Sequence, residues 1–275
     1  MPRRTTELGG ALALVTGAGS GIGRATALAF AAAGSRVLGA DIDVEAAEKT
    51  AAACAERGPE AAAFAVDVAD RQAVFALAEK VRAEHGVPDV LVNNAGVGMS
   101  GRFLATGLED WDWIVGINLM GVVHGCHAFG PGMVERGRGH VVNVSSGLAY
   151  AWTPTEPAYV TTKAAVLALS RSLRADWHHS GVGVSAVCPG VINTPIIERT
   201  RFRGDRAEPD NVEQTKKVFR RGHPPEAVAA AILDAVRRNR PVVPVGIEAR
   251  FGWVAHRVLP TAVIDRLFRS RLLGR

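Results

Sequence analysis

Cysteine is scarce in this chain. Three residues in 275, Cys54, Cys126 and Cys188, are far apart and form no CxxC pair. An odd, scattered set argues against a disulfide framework and for free thiols in a reducing compartment, the cytoplasm. No run approaches the roughly 18 apolar residues that a membrane-spanning helix needs. The opening MPRRTTELGG is basic but leads straight into ALALV, with no signal-peptide apolar core or cleavage site. His124 and His127 lie three apart with no further ligand at metal spacing, so no metal is expected. The segment SSG lacks the GxSxG pattern of a hydrolase nucleophile elbow. The formal net charge is +5, and residues 248–275 supply most of it, with six arginines against Glu248 and Asp265. A nucleic-acid reader would be expected to carry its basic stripe or reading motif within the fold. Neither is present, so nucleic acid is not an expected partner.

What the chain does contain is a rhythm. Short apolar runs (ALALVT, SRVLGAD, AAAFAVD, PDVLVNN, HVVNVSS, GVGVSAVCPG, PVVPVG) alternate with longer helical patterns. Strands alternating with helices of this length imply βαβ units and a parallel sheet covered on both faces. The expected fold is α/β, a Rossmann-type doubly wound parallel sheet of about seven strands. No linker or low-complexity stretch interrupts it, so residues 1–246 read as one domain and 247–275 as a basic helical extension.

The first strand meets the first helix at TGAGSGIG, Thr16 to Gly23. Gly17, Gly21 and Gly23 let the backbone turn tightly and approach a pyrophosphate at the helix N-terminus. Asp41 closes the second strand 18 residues beyond Gly23, where a carboxylate can bind an adenosine ribose 2′-hydroxyl and repel a 2′-phosphate. Ile42 follows it and Ser20 precedes Gly21, so no base stands by to welcome that phosphate. NAD is therefore expected over NADP. The competing role for Asp41 is a helix cap, which Asp43 can fill instead.

With the further segments NNAG (Asn93 to Gly96), GINLMG around Asn118, Ser146, YVTTK (Tyr159 to Lys163) and PGVINT (Pro189 to Thr194), the chain resembles the short-chain dehydrogenase/reductase family over roughly residues 9–246. The resemblance implies a catalytic set of Asn118, Ser146, Tyr159 and Lys163. Tyr159 would be the general acid/base and Ser146, 13 residues earlier, would bind the substrate oxygen. Lys163 would also hold the nicotinamide ribose, and Asn118 would bend its helix to support a water relay. The implied cofactor contacts are Gly17, Ser20, Gly21, Ile22, Gly23, Asp41, Asp67, Val68, Asn94, Ala95, Gly96, Tyr159, Lys163, Pro189, Gly190, Ile192 and Thr194. Of these, Asp67 and Val68 would flank the adenine and Thr194 would meet the carboxamide. A homodimer or homotetramer, joined through the long middle helix and the YVTTK helix, is also implied.

The spacing in YVTTK carries a physical expectation. Residues i and i+4 on a helix have Cβ atoms about 5–6 Å apart. One positive charge at ~5 Å and an effective dielectric of ~20 is worth roughly 3 kcal/mol. That would lower the Tyr159 pKa by about 2 units, toward the range where a proton shuttle works best. The expected reaction is an NAD-dependent interconversion of a secondary alcohol and a ketone. Trp152 is expected to line an apolar pocket suited to hydroxysteroid-like or lipid-like substrates. Arg199, Arg201, Arg203 and Arg206 lie in a segment (196–222) expected to fold over that substrate, where they either meet an acidic group or stay solvated. Two alternatives remain open: an NADPH-dependent 3-oxoacyl thioester reductase and a non-catalytic dinucleotide-binding scaffold. In the extension, Val263, Ile264, Leu267 and Phe268 fall on one helical face. Such a basic amphipathic helix can lie on an anionic membrane, but burial against its own subunit or a neighbour is the favoured expectation.

Overall fold

Every residue of β1 (Leu12–Thr16) is buried, the mark of a central strand covered on both faces. Around it the computed structural model, which describes residues 6–270 apart from the side chains of 265 and 267–270, builds a seven-stranded sheet. The other strands are β2 (Arg36–Asp41), β3 (Ala61–Ala65), β4 (Val90–Asn93), β6 (Gly139–Val144), β7 (Val182–Pro189) and β9 (Val242–Val245), in the order β3-β2-β1-β4-β6-β7-β9. All pairings are parallel. The seven-stranded, doubly wound expectation holds.

Alternation along each strand splits the core in two. Ala13 and Val15 of β1 face one side with Phe30, Ile232 and Val236, from helices α1 (Gly21–Ala32) and α8 (Pro225–Arg237). Leu12 and Leu14 face the other, with Leu77 and Val81 of α3 (Arg71–Glu84), Phe129 and Met133 of α5 (Gly121–Arg136) and Val166 of α6 (Pro157–Asp176). Helix starts follow local chemistry. The Asp43 carboxylate accepts the Ala46 N–H (3.0 Å) to cap α2 (Val44–Ala55), and Asp70 accepts from Gln72 (2.8 Å) and Ala73 (3.1 Å) to cap α3. Pro157 opens α6, where its missing N–H costs nothing.

The order in which strands are added switches sides of the sheet between β1 and β4. The loops leaving their carboxyl ends diverge and open a crevice, the place where ligands bind in such sheets. The long middle helix crosses beside it as α4 (Leu108–Val115), a π-helical turn Gly116–Met120, and α5. By length and apolarity the run 108–136 could cross a membrane, alone among the described residues, yet half of its most apolar window is buried within the fold.

Two features were not foreseen. The segment expected to cover the substrate is ordered by a small parallel sheet, β5 (Met99–Ser100) with β8 (Arg201–Phe202), followed by α7 (Pro209–Arg220). The extension forms two helices, α9 (Ile247–Val258) and α10 (Thr261–Ser270). Ile264 is buried and Val263 exposed; the Leu267 and Phe268 side chains of the expected stripe lie outside the described residues.

Candidate active site

The glycine turn is built by strict sterics. Gly17 and Gly21 have φ of 67° and 50°, the left-handed region that favours glycine. A Cβ on Gly17 would press within 2.8 Å of the Asn94 amide nitrogen, and one on Gly23 would collide with the Gly17 carbonyl. Gly21 brings the turn against Thr194, whose side chain would lie 3.1 Å from an added Cβ. Thr16 ties the turn to the NNAG loop: its hydroxyl accepts from the backbone N–H of Asn94 (3.0 Å) and Ala95 (3.1 Å). In return the Asn94 side chain donates to the Thr16 carbonyl (2.8 Å). Ser20 caps α1 by position only, with no side-chain cap bond, and Ile22 packs on the core. The result is a bare, rigid backbone cradle of the kind a pyrophosphate needs.

Asp41 is buried at the end of β2, and its two carboxylate oxygens accept from Gly19 N–H (2.8 Å) and Asp43 N–H (3.0 Å). It is therefore not the cap of α2, which is Asp43. It sits against the glycine turn with lone pairs to spare for a ribose hydroxyl. Ile42 beside it is 67% exposed, an apolar side chain where a 2′-phosphate would want a cation. Asp67 accepts the Ala69 N–H (2.9 Å), and the Val68 carbonyl meets His124 Nδ1 at 3.0 Å. These two lie just past the end of β3, and Val68 packs against Gly121 at the start of α5. His124 is thus a structural partner of the Val68 loop.

Four elements converge on the expected catalytic residues. Asn118 is fully buried in the π-helical turn, which holds one extra residue. Its amide clamps Val97, accepting from the N–H (2.8 Å) and donating to the carbonyl (2.9 Å). Gly96 is next to it, and an added Cβ there would lie 3.2 Å from Asn118 Oδ1 and 3.4 Å from Lys163 Nζ. Lys163 is buried and donates to the Val144 carbonyl at 3.0 Å. Ser145 donates to the Lys163 carbonyl (2.7 Å), fastening α6 to the end of β6. Ser145 is thereby occupied, whereas the expected serine, Ser146, faces the other way along the chain's next turn. Its hydroxyl accepts from Leu148 N–H (3.1 Å) and is a hydrogen-bonding partner of Tyr159.

The expected acidification of Tyr159 is corrected here. Lys163 Nζ lies 5.8 Å from the Tyr159 ring centre, close to the expected separation. Burial nevertheless dominates and pushes the phenol up to about 12; the Ser146 contact opposes the rise and Glu156 adds to it. Burial also pulls Lys163 down to about 8, against a raising influence of Cys188. In each case the cost of taking the charged form out of water is the largest cause. The spacing rule found the pair but carried no desolvation.

The PGVINT loop is held by the extension. Glu248 accepts the Val191 N–H (2.7 Å) and meets His223 Nε2 at 3.2 Å. Pro189 ends β7, and a side chain on Gly190 would run into Glu248. Ile192 is buried and bridges to His223. Thr194 opens the following turn over Gly21. Trp152, expected to wall the pocket, is 37% exposed and meets His256 of α9 edge-on at 6.1 Å. Sequence reasoning missed the Glu248 clip, because nothing local links it to a loop 57 residues earlier. It also missed Asp110, which binds Arg203 through two contacts of 2.7 Å and Arg201 at 3.3 Å. Arg201 further lies 3.9 Å over Trp113. Arg206 reaches Ser100 (3.3 Å) and Thr215 (3.0 Å). These three arginines therefore staple the cover down; only exposed Arg199 fits the solvated alternative.

A glycine turn with its acidic strand end, beside a serine, tyrosine and lysine at the switch point, defines a dinucleotide-type α/β oxidoreductase domain. The short chain dehydrogenase profile matches residues 11–203, and the chain belongs to that family. It is 48% identical over 261 residues to the probable oxidoreductase EphD of Mycobacterium tuberculosis, covering 93% of this chain and 44% of that protein. The chain thus spans less than half the length of that relative. D-threitol dehydrogenase of Mycolicibacterium smegmatis is 39% identical over 228 residues, covering 82% of this chain and 86% of that one. A short-chain dehydrogenase/reductase from Burkholderia phymatum, solved in complex with NAD, superposes with a TM-score of 0.85 at 29% identity, over 98% of this chain and 100% of that one.

Proposed function

We propose that this domain is an NAD-dependent oxidoreductase that interconverts a secondary alcohol and a ketone. The observation that carries the reading is the meeting of Tyr159, Ser146 and Lys163 on one side of the crevice with the Asp41-edged glycine turn on the other. A bound nicotinamide would supply or accept the hydride. The chain's own residues do the rest. The glycine turn and Asn94 to Gly96 seat the dinucleotide, and Asp41 selects for an unphosphorylated ribose. Ser146 holds the substrate oxygen and Tyr159 moves its proton. Lys163 is still mostly ammonium at pH 7, given its value of about 8. Its proposed role is to hold the nicotinamide ribose beside Tyr159. Asn118 acts through the loop it clamps, fixing Val97 and Gly96 beneath the ribose side.

Burial of three free thiols suits a reducing compartment, and we place the protein in the cytoplasm as part of this reading. Small alcohols or ketones are the proposed partners, with an apolar preference from Trp152, and assembly is proposed as a dimer or tetramer through α4, α5 and α6. The test compares cofactors and substrates together. NADH and NADPH are titrated by fluorescence, then NAD⁺ reduction is followed over a panel of secondary alcohols. The expected result is at least ~100-fold tighter NADH binding, for a carboxylate facing a phosphate, and turnover of some member of the panel. Tighter NADPH binding would favour the thioester reductase alternative, and binding without turnover the scaffold.

A further inference from the structure

Helix α9 carries a face that the domain does not use. Ile247, Phe251, Val254 and Val258 recur at i, i+4, i+7 and i+11, one stripe about 16 Å long. They are 78%, 64%, 57% and 69% exposed. The opposite face makes the contact with the domain. Ala249, Gly252 and Ala255 are buried, Tyr150 donates to the Ala249 carbonyl (2.9 Å), and Trp253 packs on Tyr150 at 5.3 Å. The helix is therefore fixed, and the stripe points outward. Four large apolar side chains in a row are not the scattered exposure that any surface shows.

Charge says what the stripe meets. Arg250 and Arg257, both exposed, run along one margin of it. Glu248, the acid of this helix, lies off the stripe and is engaged by the Val191 N–H and His223. The sequence around it, residues 248–275, is net positive by four. A second copy docking through the same face would bring identical basic margins into one interface with no acid on that face to receive them. An anionic bilayer satisfies both features, taking the apolar stripe into the headgroup boundary and pairing the arginines with phosphates. We propose that this face of α9 docks the protein on an anionic lipid surface. The proposal is independent of the catalytic reading, since it needs neither cofactor nor turnover.

The full chain is sedimented with vesicles of equal parts phosphatidylcholine and phosphatidylglycerol, and with vesicles of phosphatidylcholine alone. Binding is expected to the mixed vesicles, to be at least ~10-fold weaker to the neutral ones, and to weaken as salt is raised. Phe251→Asp with Val254→Asp, and separately Arg250→Glu with Arg257→Glu, should each lower binding to the mixed vesicles by ~10-fold or more at an unchanged melting temperature. Should the aspartate pair melt lower, Ile247→Ser with Val258→Ser at the ends of the stripe replaces it. No binding of the wild-type chain, or equal binding of the stripe variants, overturns the proposal. So does a stripe variant that only breaks a larger assembly into smaller ones in light scattering, which would assign the face to a second copy.

Discussion

Lys163 shows how a buried cation taxes the fold. Burial lowers it from 10.5 to about 8, so at neutral pH the native state holds a charge it would rather lose. A shift of that size corresponds to roughly 3 kcal/mol. Because the native lysine binds fewer protons than the unfolded one between pH 8 and 10.5, stability rises with pH across that window. Lys163→Met should therefore melt higher than wild type at pH 7, by up to ~3 kcal/mol less the lost bond to Val144, and the advantage should fade by pH 10. Paired thermal melts at the two pH values check this. The same variant should lose turnover. A lysine serving only as a packing residue would show the melting difference without the loss of rate.

At the level of elements, the anchoring of the segment expected to cover the crevice depends on one carboxylate. Asp110 is buried and held well below the usual carboxylate range, first by its hydrogen bond to Arg203 and then by Arg201. Asp110→Ala should free β8 from the long helix. KM is expected to rise ~10-fold with kcat nearly unchanged, because the interactions lost hold substrate and transition state alike. Proteolysis near Gly204 should quicken. An unchanged KM would mean the cover takes no part in binding. This contact was illegible in the sequence. Glu109, Asp110 and Asp112 all sit early in α4, and nothing marks the middle one as the anchor for arginines some ninety residues away. The strand–helix rhythm, the seven strands and the glycine turn were legible, because each is written in local spacing. The Glu248 clip and the β5–β8 pair were not, because each joins segments distant in sequence.

For the molecule as a whole, acid tolerance turns on a group far from the crevice. His140 in β6 is buried beside Ser185 (2.8 Å), and burial pulls it from 6.5 down to about 3, with Arg174 adding to the effect. A histidine held neutral in this way adds stability above pH 6.5 that is lost as pH falls toward 3. Between pH 7 and 5 the loss should be about 2 kcal/mol. His140→Gln should flatten that limb of the stability curve in denaturant titrations; an equally steep limb would place the acid sensitivity elsewhere. The motif residues are marked in the sequence by family spacing, whereas His140 sits in an ordinary strand pattern and only burial makes it a switch.

The chain has two tyrosines, and Tyr150 is spent on the Ala249 carbonyl. The account's central claim is that the other one, Tyr159, moves the proton. The most direct measurement is single-turnover hydride transfer in Tyr159→Phe, with dinucleotide affinity and melting temperature recorded alongside. The predicted result is a rate lower by ~10²–10⁴-fold with affinity and stability kept. A rate within a few-fold of wild type would contradict it.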